Sequence, residues 1–231
     1  MRIGVVGDFN PVYLSQQATN DALDHSIARS GARFEYEWIP TAAISDQFEQ
    51  IVTTYQGFWI APGVPESVSG VMQIVKYARE HDVPLIGTCG GFQTIILEYA
   101  ANVLMLEDAG HEEFTPDANT LVINKLTCSL VGQQGEVFIK RPSIVSRIYN
   151  EASTLEQFRC SFGLNPDYAA AIHHSGLHIV GTDAEGKPRI VEHAGHPWFI
   201  GTLFVPQLSS TPEKPHCLVD AFIDCVMNKP S

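Results

Sequence analysis

The chain has 231 residues, 45% of them hydrophobic and 17% charged, and its 26 acidic against 14 basic side chains leave a formal net charge of −12. That length supports one full hydrophobic core without disulfide or metal staples, and so acidic a chain argues against nucleic acid or an anionic membrane as a partner. No apolar run approaches the roughly 20 residues of a bilayer-spanning helix. The N-terminal MRIGVVGDF runs directly into a strand pattern and lacks the features of a secretory signal. The five cysteines, at positions 89, 128, 160, 217 and 225, contain no CxxC pair. Neither a zinc ribbon nor a disulfide framework is expected from that spacing, and a reducing, cytoplasmic location is the simplest expectation.

Strand and helix patterns alternate through the first hundred residues. Arg2–Val6 is a short apolar strand closed by Gly7-Asp8. Gln16–Ser30 has helical spacing, with Ala22, Leu23, Ile27 and Ala28 on one side and Gly31 as its stop. Phe34–Ile39 alternates as a strand, and Phe48–Tyr55 reads as a short helix. Phe58–Ala61 is a third strand, ended by Pro62-Gly63. Val71–His81 is a helix with Val71, Ile74, Val75 and Ala78 inward. Pro84–Thr88 is a fourth strand, followed across a glycine turn by a helix over Phe92–Ala101. This alternation predicts a parallel sheet with crossover helices.

Beyond Asn119 the pattern changes. Leu121–Ile123 and Glu136–Ile139 read as strands of an antiparallel excursion, and Pro166–His174 as a short helix. Ile179–Thr182 and Arg189–Glu192 suggest a hairpin about Ala184-Glu185-Gly186. Trp198–Phe204 is a further strand, and Leu218–Met227 a closing helix. No repeat or long linker divides the chain. One α/β domain over 1–231, a doubly wound sheet with an inserted β-region, is the expected architecture.

Gly87-Thr88-Cys89-Gly90-Gly91 lies where an apolar strand meets a helix. G-x-C-x-G at that junction is the pattern of a nucleophile elbow, in which glycines permit a tight turn that presents the central side chain. The helix beginning there directs its positive end at the Cys89 sulfur and favours thiolate. The Gly90 N–H would face an oxyanion formed at that sulfur. A glycine-rich turn carrying an inert buried cysteine is the alternative.

PLIGTCGGFQ (84–93) resembles the P-F-L-G-I-C-L-G-M-Q stretch of class I glutamine amidotransferases, and in particular the glutaminase domain of CTP synthase. The likeness continues through ILEYAANVLMLEDAGHEEF (96–114), LNPDY (164–168), GLHIVGTDAEGKPRIVE (176–192), HPWFIG (196–201) and STPEKPHCLVDAF (210–222). VGDFNPVYLSQQATNDAL (6–23) is similar to that family's first strand, loop and helix. The resemblance implies a flavodoxin-like three-layer αβα fold with a mostly parallel sheet and a small antiparallel β insertion, and it implies that Cys89 is the nucleophile. No G-x-x-x-x-G-K-[ST] loop is present, so the chain is expected to contain no synthetase domain and to be something other than a complete CTP synthase.

The same resemblance marks what has changed. The family's base and its orienting glutamate lie in a Q-F/Y-H-P-E motif, and Leu203-Phe204-Val205-Pro206-Gln207 stands in its place. Val205 occupies the base position and Gln207 the orienting position, and neither side chain can do that work. The segment R-H-R-Y-E, which supplies an arginine to the glutamine carboxylate, matches Arg159-Cys160-Ser161-Phe162-Gly163, so Ser161 replaces the gripping arginine. The oxyanion loop P-G-G-F has become Pro62-Gly63-Val64-Pro65, leaving Gly63 and Val64 with Gly90 as oxyanion residues; Pro65 has no N–H. Gln93 and Glu113 survive as substrate-binding positions, Glu113 matching the residue that faces the glutamine amino group.

Of nine histidines, His196 and His216 match family motifs away from the triad and are expected to serve packing or loop hydrogen bonds. His111 lies on the segment bordering the glutamine pocket and is the candidate to compensate for the lost base or to contact substrate. His193 and His196 have no third ligand at metal spacing, and neither metal nor cofactor is expected. Two functions follow. One is cysteine-dependent acyl or amide chemistry on an amino-containing substrate, without ordinary glutaminase activity. The other is a non-catalytic homologue that binds a small molecule or regulates a partner. The expected ligand is a small amide or amino-acid-like molecule, and a separate synthetase or acceptor protein is a candidate partner.

Overall fold

The computed structural model describes residues 1–31 and 34–228. Its main sheet is built from β1 (Arg2–Val6), β2 (Glu35–Ile39), β3 (Gly57–Ile60), β4 (Leu85–Thr88), β7 (Gln134–Ile139), β8 (Ser153–Gln157), β10 (Leu177–Thr182), β11 (Pro188–His193) and β12 (Phe199–Thr202). The strand order is β2-β1-β3-β4-β12-β11-β10-β7-β8. The first five are mutually parallel, and the remaining pairings are antiparallel. A separate three-stranded sheet, β5 (Ala109–His111), β6 (Thr120–Lys125) and β9 (Phe162–Leu164), lies beside it.

The helices are α1 (Leu14–Ser30), α2 (Ile44–Thr54), α3 (Val68–Glu80), α4 (Gly90–Asn102), α5 (Ile144–Tyr149), α6 (Pro166–His174) and α7 (Cys217–Met227). Helices α1, α5 and α7 make one connected group, while α2, α3, α4 and α6 make a second. The two groups sandwich the sheet. Strands β3, β4 and β12 are buried at every position. That explains their unbroken apolar runs, because a parallel strand covered on both faces needs no polar alternation.

The predicted elements of the first hundred residues form in the predicted order, with ends moved by a few residues. Positions 32 and 33, between the expected helix stop at Gly31 and the expected strand start at Phe34, lie outside the described residues. The antiparallel excursion is joined to the main sheet: β7 and β8 extend it beyond β10. Helix α5 and strands β5, β8 and β9 carry too few residues, and too little apolar periodicity, to announce themselves.

Helix α4 is enclosed nearly all round, with Gly91 through Ala100 buried in an unbroken run. A helix so placed has no polar face to spare, yet it carries Glu98, which is fully buried. Arg79 of α3 answers it with two hydrogen bonds, Nε to Oε2 at 3.0 Å and Nη2 to Oε1 at 2.7 Å, and its guanidinium lies 5.6 Å from the Tyr99 ring centroid. This pair locks α3 to the helix that follows the Cys89 turn. Among the described residues no helix is long and apolar enough to cross a membrane.

Removing one partner of such a pair strands the other charge inside the protein, which costs more than the pair itself contributes. Arg79→Ala should therefore destabilise the fold by about 3 kcal/mol, read as a lowered urea midpoint. Arg79→Met combined with Glu98→Leu should recover most of that loss.

Candidate active site

Cys89 follows β4, at the carboxyl end of a central parallel strand, where open α/β sheets place their ligand crevices. Its backbone has φ +54° and ψ −106°, a conformation that side chains other than glycine adopt at a cost of order 1–3 kcal/mol. Two close approaches hold the turn. A Cβ on Gly90 would collide with the Gly63 carbonyl oxygen, and one on Gly91 with the Ile60 carbonyl oxygen. The Cys89 N–H donates to Thr202 O at 2.8 Å, which ties the turn to β12. The sulfur-bearing residue thus sits at the N-cap of the 13-residue α4, as the glycine pattern predicts.

A cleft of about 210 Å³ opens over this turn, lined by Gly63, Val64, Cys89, Gly90, Gln93, Glu113, Arg159, Cys160, Ser161 and Phe162. All three predicted oxyanion residues are there, with Gln93, Glu113 and Ser161. The oxyanion loop is fastened from below. Gln16 Nε2 donates to Pro62 O at 3.2 Å, and Asp8 accepts the Glu66 N–H at 2.8 Å while also holding the Thr41 N–H and hydroxyl. The Val64 N–H makes no hydrogen bond among the described residues. It remains free for a ligand oxygen. Pro65 removes the next donor.

Two lining residues escaped the sequence reading. Arg159 lines the cleft and makes no ion pair among the described residues. Ser161 Oγ meets Ser129 Oγ at 3.0 Å. Cys160 is the second. It is joined to Cys89 by a disulfide, with the Cα atoms 6.1 Å apart and the two residues 71 positions apart in sequence. The spacing gives no reason to expect a disulfide, and this one bridge is the correction. The remaining three, Cys128, Cys217 and Cys225, take part in no disulfide. Spacing could not show the pairing because tertiary contacts make it. The N–H groups of Leu126 and Leu130 bond to the carbonyls of Ser161 and Cys160 at 2.8 and 3.0 Å, and Gln93 Nε2 reaches Phe162 O at 2.9 Å. These bonds draw the 158–162 segment across the elbow. The signal available was Arg159-Cys160 itself, a cysteine inside a motif that carries histidine in the resembling family.

Val205 and Gln207 have become interior residues. Val205 is fully buried, and its N–H bonds to Gln157 O at 2.8 Å. Phe158 packs edge-on against Phe204 beside it. Gln207 is 1% exposed; its Nε2 donates to Thr19 Oγ1 at 3.0 Å and to Thr88 Oγ1 at 3.2 Å, beneath the elbow. Neither lines the cleft. Gln207 Oε1 is buried without a hydrogen-bond partner.

His111 does not line the cleft. Its ring is 2% exposed, stacked on Phe114 and tilted against Phe162. The Glu113 N–H donates to Nδ1 at 3.1 Å, so the proton rests on Nε2 and is shared with Gln93 Oε1, also at 3.1 Å. Both nitrogens are spent on positioning Gln93 and Glu113. Burial pushes its pKa down to about 4. Burial likewise raises the Glu113 carboxyl above its ordinary range. His196 and His216 serve as packing and capping groups: His196 bonds to Ala78 O and receives the Trp198 N–H, and His216 caps α7 through the Leu218 N–H. No histidine lines the cleft among the described residues, and no group of three or more His, Cys, Asp or Glu there is arranged to hold a metal ion.

Residues 15–225 match the family model described as glutamine amidotransferase class-I. The chain is 32% identical over 230 residues to the CTP synthase of Methanopyrus kandleri, covering 93% of this chain and 43% of that protein. It is 30% identical over 233 residues to the CTP synthase of Encephalitozoon cuniculi, covering 96% and 43%. It thus spans less than half the length of the curated relatives it matches. Among solved structures, the glutaminase domain of Trypanosoma brucei CTP synthase with bound acivicin superposes with a TM-score of 0.90 at 22% identity, covering 100% of this chain and 95% of that one. A glutamine amidotransferase from Thermotoga maritima gives a TM-score of 0.59 at 9% identity, with coverages of 99% and 96%.

The buried neutral His111 makes stability depend on pH. The unfolded chain takes up a proton at this residue below its ordinary pKa near 6.5, whereas the folded chain does not do so until about 4. Its contribution is therefore fully present above that ordinary value and is lost as pH falls toward 4. The wild type should lose about 2–3 kcal/mol through this window from that source. His111→Gln, measured by urea unfolding from pH 7 to pH 4, should show a shallower decline.

Proposed function

This chain belongs to the class I glutamine amidotransferase family, and we propose that within it the chain has left glutamine hydrolysis and keeps its cleft for an amino-acid-like ligand that meets Cys89. One observation carries the reading: Cys89, Glu113 and Arg159 line a single cleft in which no imidazole base is present among the described residues. Glu113 is suited to an amino group, Arg159 to a carboxylate, and the Val64 and Gly90 N–H groups to a carbonyl oxygen polarised by sulfur attack. A volume of about 210 Å³ suits an amino-acid-sized molecule better than a nucleotide.

In the dithiol form, the thiolate of Cys89 attacks the carbonyl carbon of an amide or ester. The carbonyl electrons move to oxygen, and the collapse of that adduct expels the amine or alcohol and leaves a thioester. The sulfur needs less help from a base than a serine oxygen does, because α4 stabilises the thiolate. Hydrolysis of the thioester needs an activated water, and no lining residue is an imidazole to supply one. Transfer to an amine acceptor, either a small molecule or a separate acceptor or synthetase protein, is the outcome that suits such a site. A cytoplasmic setting would keep Cys89 available.

A second reading, a binding or regulatory homologue without chemistry, is favoured by the bonded state of Cys89. Labelling the reduced protein separates the two. An electrophilic glutamine analogue should label Cys89, detected by intact mass and peptide mapping, while glutamine releases ammonia far below the roughly 1–10³ per second usual for enzymes. Glu113→Gln and Arg159→Ala should each slow labelling roughly ten-fold or more, the effect of one charge-assisted hydrogen bond. Labelling by iodoacetamide alone would remove the amino-acid ligand, and ordinary glutaminase turnover would overturn the reading.

A further inference from the structure

We infer that Cys89 and Cys160 form a reversible thiol–disulfide exchange site, with Cys89 the sulfur that meets a small disulfide or thiol and Cys160 the sulfur that resolves it. This activity goes beyond the proposed acyl chemistry and rests on that reading only in requiring that Cys89 be reachable from the cleft.

Both redox states are provided for. In the disulfide, the Cα separation of 6.1 Å falls within the ordinary range for a bridge, so the backbone need not move to make it. In the dithiol, Cys160 has its own acceptor, because its Sγ lies 3.2 Å from Leu203 O in a hydrogen-bonding arrangement. Cys89 stands at the N-cap position of α4, and the positive end of a helix favours thiolate there. The two residues also differ in exposure. Both line the cleft and both are largely buried, Cys89 at 8% exposed and Cys160 at 3%. We assign the more exposed Cys89 as the residue an incoming reagent meets first. The segment that carries Cys160 is held by the Leu126 and Leu130 N–H groups and by Gln93, so the resolving sulfur stays in place while the bond opens and closes.

Oxidation consumes one small-molecule disulfide. The Cys89 thiolate attacks one of its sulfurs and forms a mixed disulfide, and the other half leaves as thiolate and takes up a proton. Cys160 then loses its thiol proton and attacks the Cys89 sulfur, expelling the second half as thiol. Two electrons have passed from the protein to the reagent, and one disulfide has become two thiols. Reduction by two thiols runs the same steps backward. While the bridge is closed, Cys89 has no thiolate to offer a carbonyl, so acyl chemistry is confined to the dithiol.

The test uses the full chain, reduced with dithiothreitol, freed of reductant and exposed to oxidised glutathione. Thiols accessible after denaturation should fall from five to three, and peptide mapping should recover a single bridged peptide pair containing Cys89 and Cys160. Cys160→Ser should instead retain one glutathione on Cys89, because nothing resolves the mixed disulfide. Cys89→Ser should leave Cys160 largely unmodified. Circular dichroism checks the fold of each variant, and the wild-type thiol count stands without them. Five thiols retained by the wild type, or glutathione retained by Cys160→Ser on Cys128 instead of Cys89, overturns the inference. Exchange without labelling by the glutamine analogue supports the couple and removes the ligand reading, whereas labelling without exchange overturns the couple alone.

Discussion

The strained turn at Cys89 sets the terms for everything around it. A cysteine at φ +54° is tolerated only where neighbours leave no alternative, and here those neighbours are backbone atoms. The Gly63 and Ile60 carbonyl oxygens occupy the space that side chains at Gly90 and Gly91 would need. β3 and β4 must therefore lie side by side in parallel, with the oxyanion loop draped over the start of α4. Thr202 O fixes the Cys89 N–H from the other side. The elbow geometry is thus a property of three adjacent strands.

Val205 and Gln207 both belong to the core beneath the elbow. Valine at 205 adds apolar volume next to Phe158 and Phe204. Glutamine at 207 spans from Thr19 on α1 to Thr88 under the elbow. Thr88 also receives the Trp59 Nε1–H at 3.2 Å, so its hydroxyl joins β3 to this network. A glutamate at 207 would place a charge at a site where one amide oxygen already lacks a partner, and burying charge without a partner is costly. At His111, likewise, a histidine near the pocket has both nitrogens committed to holding Gln93 and Glu113 in place.

The parallel half was legible because β1, β3 and β4 are short apolar runs between helices of clear period, and the elbow because glycines flank a cysteine at a strand–helix junction. Oxyanion and substrate positions followed from the resemblance, residue by residue, and Gly63, Val64, Gln93, Glu113 and Ser161 do meet in one cleft. Short elements such as β5, β9 and α5 were illegible, since three to six residues hold too few periods to read. Arg159 and Cys160 were illegible as site residues for a different reason. Their position depends on long-range backbone bonds to Leu126 and Leu130, and local spacing carries no trace of those. The residue-by-residue match marked what had been lost at Ser161 but not what its neighbours supply.

The proposed chemistry rests on a sulfur activated by the turn alone, since no imidazole lines the cleft among the described residues. The most direct measurement is the alkylation rate of Cys89 in the reduced protein against pH, resolved site by site by mass spectrometry. The rate should rise through a single ionisation, fall away in acid, and at neutral pH exceed that of the exposed Cys128. A rate that persists well into acid would reveal a thiolate–imidazolium pair and contradict this picture. So would a Cys89 that reacts no faster than Cys128, which would make the elbow a structural turn.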